Sequence, residues 1–141
     1  MDLWEIEAFA EYCAFAFAFE SGWRFMFEGE AARREIWSYG REIDLTQHWV
    51  DVGLLSSDAS TLTLRNAAGL RISYRDKIWA VRLNPEAASE AVAPIRYRKF
   101  SVIGQQISSA LNFKTFNGYA RNLIKAIEGQ GQAVFSPLSD A

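Results

Sequence analysis

Alternation of apolar and polar residues with a period of two is the feature that most limits what this chain can fold into. It appears in three segments, residues 61–64, 70–75 and 78–83. Side chains on one face of a β-strand recur at every second position, so each segment is predicted to be a strand with one buried face. The residues between the segments, NAAG and Asp76-Lys77, are typical of turns. The sequence therefore predicts a three-stranded antiparallel meander over residues 61–83.

The turn at Asp76-Lys77 sets the register between the last two strands. It predicts three apolar cross-strand pairs, Tyr74 with Trp79, Ile72 with Val81 and Leu70 with Leu83. Such pairs stabilise a sheet, and a slip of one residue would turn all of them outward. The other face would carry Arg71, Ser73, Arg75, Ala80 and Arg82, with Arg71 directly across from Arg82. Like charges in that position are destabilising, which indicates either an anionic partner or a carboxylate from elsewhere in the chain.

The N-terminal segment allows two interpretations. Residues 2–11 have apolar side chains at helical spacing and predict a short amphipathic helix. Residues 12–28 then alternate with a period of two around Ser21-Gly22, which predicts a hairpin with Ala18 opposite Phe25 and Ala16 opposite Phe27. In the alternative, the first helix continues to Glu20 and Gly22 caps it.

Helical patterns fill most of the remaining chain. They cover residues 30–41, a segment that starts at Asp44, and two stretches within residues 91–127. Residues 129–141 are predicted to be a mobile tail, with docking of residues 133–135 as the alternative. The predicted fold is α+β: an antiparallel sheet, made of the meander and joined by the N-terminal hairpin, packs against helices in a single domain of residues 1–128.

Composition supports one compact domain. Half of the 141 residues are hydrophobic and 14% are aromatic, which is enough for a sizeable core. Cys13 is the only cysteine, so an intrachain disulfide is impossible and a reducing, cytoplasmic setting is expected. The acidic start MDLWEIE does not resemble a signal peptide, and the longest apolar run, residues 13–19, is shorter than the roughly 20 residues that span a bilayer. We therefore expect no membrane association.

Charge is distributed unevenly along the chain, although the net charge is only −2. Residues 1–60 carry a balance of −8, whereas residues 91–127 contain six cations and no acidic residue. Basic clusters, polar amides and interleaved aromatic rings are typical of nucleic-acid-binding surfaces. The predicted nucleic-acid-binding residues are Arg71, Arg82, Arg96, Tyr97, Arg98, Lys99, Lys114, Asn117, Arg121, Asn122 and Lys125.

Three functional interpretations follow from this distribution. The first is a non-catalytic binding protein that presents a cationic C-terminal surface to an anionic partner, with nucleic acid as the favoured partner. The second is an inhibitor or immunity-type protein whose acidic N-terminal half binds a basic protein target, such as a nucleic-acid-binding enzyme. In the third, the arginines and lysines are the ordinary solvated charges of amphipathic helices.

Signatures of catalysis or metal binding are weak in this sequence. His48 is the only histidine, and although Glu42, Asp44 and Asp51 lie near it, metal ligands usually converge from separate elements. The chain contains neither a G-x-S-x-G elbow nor a phosphate-binding glycine motif. We therefore expect a binding role without catalysis, cofactor or metal, in an oligomeric state that the sequence leaves open.

Overall fold

The computed structural model describes residues 2–39, 45–62, 70–84, 95–116, 118–131 and 133–138. Five helices and seven strands lie within these ranges. The helices are α1 (Leu3–Cys13), α2 (Glu30–Ser38), α3 (Leu45–Asp51), α4 (Val102–Ala110) and α5 (Tyr119–Glu128). The strands are β1 (Phe17–Phe19), β2 (Arg24–Phe27), β3 (Ser60–Thr61), β4 (Leu70–Tyr74), β5 (Lys77–Leu83), β6 (Arg96–Lys99) and β7 (Ala133–Pro137).

All seven strands belong to one antiparallel sheet with the order β3-β6-β2-β1-β4-β5-β7. The predicted α+β fold is confirmed, and the sheet is larger than the predicted meander and hairpin together. None of the described helices has the length and apolar character needed to cross a lipid bilayer.

The β4–β5 hairpin forms as predicted, but its register is shifted by two residues. Its turn is Arg75-Asp76, because Tyr74 pairs with Lys77. Ile72 consequently faces Trp79, and Leu70 faces Val81. A shift by two keeps every side chain on its predicted face, so hydrophobic alternation alone cannot distinguish the two registers.

The predicted meander is wrong in its first strand. Ser60 and Thr61 pair with Tyr97 and Arg96 of β6, which places β3 at the opposite edge of the sheet from β5 and β7. The second neighbour of β4 is instead β1. The rest of the predicted first strand, beyond residue 62, lies outside the described residues. Local alternation identifies a strand but carries no information about which distant strand will pair with it.

The N-terminal hairpin is present, and the alternative of a helix reaching Glu20 is wrong. Helix α1 ends at Cys13, and β1 pairs with β2 through Phe17 opposite Phe25 and Ala18 opposite Arg24. The predicted pairing of Ala18 with Phe25 is therefore displaced by one residue. The cause is a three-residue connection, residues 20–22, in place of a two-residue turn. This register brings aromatic rings together instead of pairing small residues with large ones.

The first face of the sheet carries the larger aromatic cluster. Phe17 lies at its centre, with ring centroids 4.9 Å from Phe27, 5.3 Å from Tyr74 and 6.0 Å from Tyr119 of α5. Helix α5 therefore packs on this face. On the second face, α4 lies over β2, where the guanidinium group of Arg24 donates hydrogen bonds to Ser108 and Ser109.

The C-terminal residues take part in the sheet. Residues 133–137, assigned to a mobile tail unless they dock, form β7 and pair with β5 along their whole length. Ala133 and Phe135 are buried. The docking alternative is therefore what the structure shows for these residues.

Candidate nucleic-acid interface

The predicted site residues are distributed over separate surfaces of the molecule. Arg121, Asn122 and Lys125 are exposed on α5. Arg121 and Lys125 line a cleft of about 290 Å³, together with Lys77 of β5. Asn117, predicted to extend this row, lies outside the described residues. Because α5 packs on the first face, these cations do not share a surface with side chains on the second face.

Strand β6 divides its four predicted site residues between the two faces of the sheet. Tyr97 and Lys99 share the first face with Phe25 and Phe27, whereas Arg96 and Arg98 point to the second. Arg98 is held in place, because its Nε lies 2.7 Å from Glu28 Oε1 and its Nη1 donates to the Ser56 carbonyl. Arg96 and Lys99 remain exposed.

Aromatic side chains pack around β6 in a cluster that is partly exposed to solvent. Tyr97 packs edge-on against Phe19 and Phe25, with centroid distances of 5.3 and 5.6 Å. Lys99 Nζ lies 5.8 Å from the centre of the Trp23 ring, within the range of a cation–π contact. Tyr97 thus belongs to the packing of the sheet as well as to the surface.

Lys114 lies apart from the other predicted site residues. It is exposed in the segment between α4 and α5 and lines a mainly apolar groove of about 420 Å³ against Ala10 and Ala14 at the end of α1.

Arg71 and Arg82 lie on the same face of the sheet, as the sequence predicted. Both are exposed on the second face of the β4–β5 hairpin. The predicted direct opposition is wrong, because Arg71 faces Ala80 and Arg82 faces Val134 of β7. The two arginines are diagonal neighbours instead, a relation with a spacing of about 7–8 Å. Their mutual repulsion is therefore weaker than the predicted register implied.

The side chains around Arg71 and Arg82 define what we call the arginine face, the second face of β4, β5 and β7. Its members are Arg71, Ser73, Ile78, Ala80, Arg82, Val134 and Ser136. All are exposed or half-buried, and the set contains no acidic side chain. Among the described residues, neither Arg71 nor Arg82 forms an ion pair, although Glu20 and Asp76 lie at nearby strand ends. The described part of this face is therefore cationic, and both arginines on it are exposed.

Two further arginines border the arginine face. Arg24 is in line with it, since Arg24 faces Ala18, Ala18 faces Ser73, and Ser73 faces Ile78 across successive strands. Arg75 occupies the adjoining hairpin turn. Alternation in the sequence predicted Arg75 on this side of the hairpin. Arg24 was not among the predicted site residues, although it alternates with Trp23, Phe25 and Phe27.

The arginine face carries the donors and the positive charge of an anion-binding surface. Arginine stays charged throughout the physiological pH range and has donors but no acceptor. The ionisable side chains among the described residues of this face are arginines, which attract phosphate or carboxylate oxygens.

His48, the only histidine in the sequence, contacts side chains of α1. Its Nε2 lies 2.9 Å from Glu5 Oε2, and its ring centroid is 5.4 Å from that of Trp4. Glu42 and Asp44, which flank it in the sequence, lie outside the described residues. In the part of the chain that the structure describes, no three histidine, cysteine, aspartate or glutamate side chains group as metal ligands would.

Comparison with known proteins adds no further information on this site: no family model, curated protein or solved structure gives a significant match to the chain.

Proposed function

We propose that this protein is a non-catalytic nucleic-acid-binding protein and that the arginine face contacts the anionic backbone. The observation that supports the proposal is the presence of Arg71 and Arg82, with Arg24 and Arg75 beside them, on one side of the sheet without a carboxylate partner among the described residues. Lysine and arginine contacts to phosphates supply most of the affinity in sequence-independent binding.

The proposed binding is driven by the backbone of the nucleic acid. Between its arginines the arginine face carries serine and aliphatic side chains, and its described members include no aromatic ring on which a base could stack. Phosphate contacts set orientation and affinity but read no sequence. The proposal therefore predicts similar affinities for oligonucleotides of equal length and different sequence.

A protein-binding inhibitor is the second candidate, and one observation favours it. Helix α1 exposes the acidic residues Glu7 and Glu11 and, in its first turn, Leu3 and Trp4, which are 71% and 53% exposed. Exposed tryptophan is enriched among the residues that dominate protein interfaces. An acidic helix with apolar residues at its start suits a basic protein target.

Oligonucleotide binding by charge-reversal variants separates these candidates. Arg71→Glu with Arg82→Glu removes the arginine face, whereas Arg121→Glu with Lys125→Glu removes the cations of α5. Arg33→Glu with Arg34→Glu is the matched control, because both arginines are exposed on α2 and the change in net charge is identical.

Fluorescence anisotropy with a labelled strand of about 15 nucleotides is the measurement. We expect the arginine-face variant to lose at least about tenfold in affinity and the α2 control to stay within about twofold of the wild type. An equal loss in the α5 variant would add that surface to the interface. Equal affinity of the arginine-face variant and the control would refute the proposal.

A further inference from the structure

A small pocket at the edge of the arginine face has the composition of an anion site. It lies over Ala18 of β1, between Arg24 of β2 and Ser73 of β4, and Phe113 and Thr115 close it from the segment that follows α4. Its volume is about 140 Å³. Sites for drug-sized ligands occupy roughly 300–1,000 Å³, so this pocket suits a single small group.

Arg24 is fixed in position before any ligand arrives. Its Nη1 donates to Ser108 Oγ at 2.9 Å and to Ser109 Oγ at 3.2 Å. Both hydroxyl groups in turn donate to the carbonyl of Gln105. The Nε and Nη2 protons of Arg24 have no acceptor among the described residues, so part of this oriented guanidinium remains available.

Arg75 adopts a backbone conformation that an arginine rarely takes. Its φ is +59°, at the first position of the two-residue β4–β5 turn, where glycine is usual. A left-handed backbone conformation is unfavourable for any residue that carries a Cβ. In this position the guanidinium donates to the carbonyl of Phe113 and lies 4.7 Å from the centre of its ring. Strain of this kind is concentrated at functional sites.

The guanidinium groups of the two arginines converge on one aromatic ring, that of Phe113. The guanidinium carbon of Arg24 lies 5.6 Å from the centre of the Phe113 ring, and that of Arg75 lies 4.7 Å from it. The described residues that line the pocket include no aspartate or glutamate. Arg98, which is half-buried as Arg24 is, pairs with Glu28 at 2.7 Å. Among the described residues neither Arg24 nor Arg75 has such a carboxylate partner, which leaves both guanidinium groups able to bind an anion.

We propose that this pocket binds a phosphoryl group, with Arg24 and Arg75 as its charged donors and Ser73 and Thr115 as hydroxyl donors. Guanidinium groups match the geometry of phosphate oxygens and hold them through paired hydrogen bonds. The phosphoryl group belongs either to a nucleic-acid backbone lying on the arginine face or to a free phosphate ester. The inference rests on the proposed function only for the first of these sources.

Thermal unfolding with inorganic phosphate tests the pocket by itself. A ligand that binds only the folded state raises Tm with its concentration, by several degrees at about 100 times Kd. Phosphate also stabilises proteins non-specifically by exclusion from their surface, so the informative quantity is the difference in this rise between wild type and variant.

Two variants remove the pocket in different ways. Arg75→Asn keeps the left-handed backbone, which asparagine tolerates, and removes the charge. Ala18→Val fills the pocket and leaves both arginines. We expect both variants to fold and to lose the specific part of the phosphate-dependent rise in Tm. An equal rise in the wild type and both variants would overturn the inference.

Oligonucleotide binding then distinguishes the source of the phosphoryl group. For a backbone phosphate, Arg75→Asn weakens oligonucleotide binding severalfold and inorganic phosphate competes with the strand. For a free phosphate ester, the oligonucleotide affinity is unchanged while phosphate binding is lost. If phosphate binds in this pocket and no oligonucleotide binds at all, the pocket stands and the proposed function fails. If the arginine-face variant loses oligonucleotide binding but Arg75→Asn keeps its phosphate response, the proposed function stands and the phosphoryl pocket is refuted.

Discussion

Single side chains of the N-terminal helix link the stability of the fold to pH. The pKa of Glu5 is held below its usual value, first by the hydrogen bond from the backbone N–H of Asp2 and then by that from His48. A carboxyl group with a lowered pKa in the folded state stabilises the protein above its unfolded pKa, near 4.5, and this stabilisation is lost as the pH falls through the lowered value.

Comparison of the wild type with Glu5→Gln tests this linkage. At pH 6 the wild type should have the higher Tm, because glutamine has no charge to interact with the N-terminal N–H groups of α1. The difference should shrink as the pH is lowered and vanish once Glu5 is protonated. A difference in Tm that is constant between pH 6 and pH 3 would show that the carboxylate charge has no role.

Individual arginines show how far sequence reasoning reached at this scale. Alternation placed Arg71 and Arg82 on one face of the hairpin, and the structure agrees. The same reasoning included Arg98 in the cationic surface, although Glu28 neutralises it. Glu28 is 70 residues away in the chain, and pairing of that kind depends on the order of the strands, which local patterns do not determine.

At the scale of elements, the position of α4 depends on the absence of a side chain at Gly104. A Cβ atom there would lie 1.9 Å from the carbonyl oxygen of Leu54, in the backbone that follows α3. Gly104→Ala therefore forces α4 away from this segment. We expect the substitution to lower the unfolding free energy by about 1–3 kcal/mol.

Urea denaturation of Gly104→Ala and of Gln106→Ala provides the comparison. Gln106 is exposed on the same helix, so its replacement should change the stability by no more than about 0.5 kcal/mol. Similar stabilities for the two variants would mean that α4 does not approach Leu54 this closely.

Strand β7 is the element on which the sequence alone was least informative. Residues 129–141 contain two glycines and a proline and contribute few apolar side chains, a composition typical of a mobile end. The decisive interaction is non-local, since Ala133 and Phe135 face Leu83 and Val81 of β5. Pairing with a strand whose partner residues lie 50 to 58 positions earlier in the chain does not appear as a local pattern.

Phe135→Ala tests whether β7 is integral to the sheet. Phe135 is 6% exposed, whereas Leu138 in the same segment is 46% exposed. We expect Phe135→Ala to lower the unfolding free energy by about 3–5 kcal/mol and Leu138→Ala to lower it by less than about 0.5 kcal/mol. Equal and small changes in unfolding free energy for the two variants, measured by chemical denaturation, would show that this segment is a mobile tail.

At the scale of the whole molecule, the sequence predicted the fold class and two of the strand pairings. Both pairings, β1 with β2 and β4 with β5, join neighbours in the chain. The insertion of β1 between β2 and β4, and the separation of β3 from β4, arise from contacts between distant segments. The candidate site was predicted incompletely for the same reason. Its predicted cations lie on both faces of the sheet, and the order of the strands determines which of them are neighbours.

We propose that the arginines of this face, which have no carboxylate partner among the described residues, bind an anionic backbone. Salt dependence of oligonucleotide binding tests it most directly, since each phosphate contact adds about −0.7 to the slope of log Kobs against log salt for a single strand. With Arg24, Arg71, Arg75 and Arg82 engaged, we predict a slope of roughly −3 for the wild-type protein. Absence of binding at low salt, or an affinity that does not change with salt concentration, would contradict the claim.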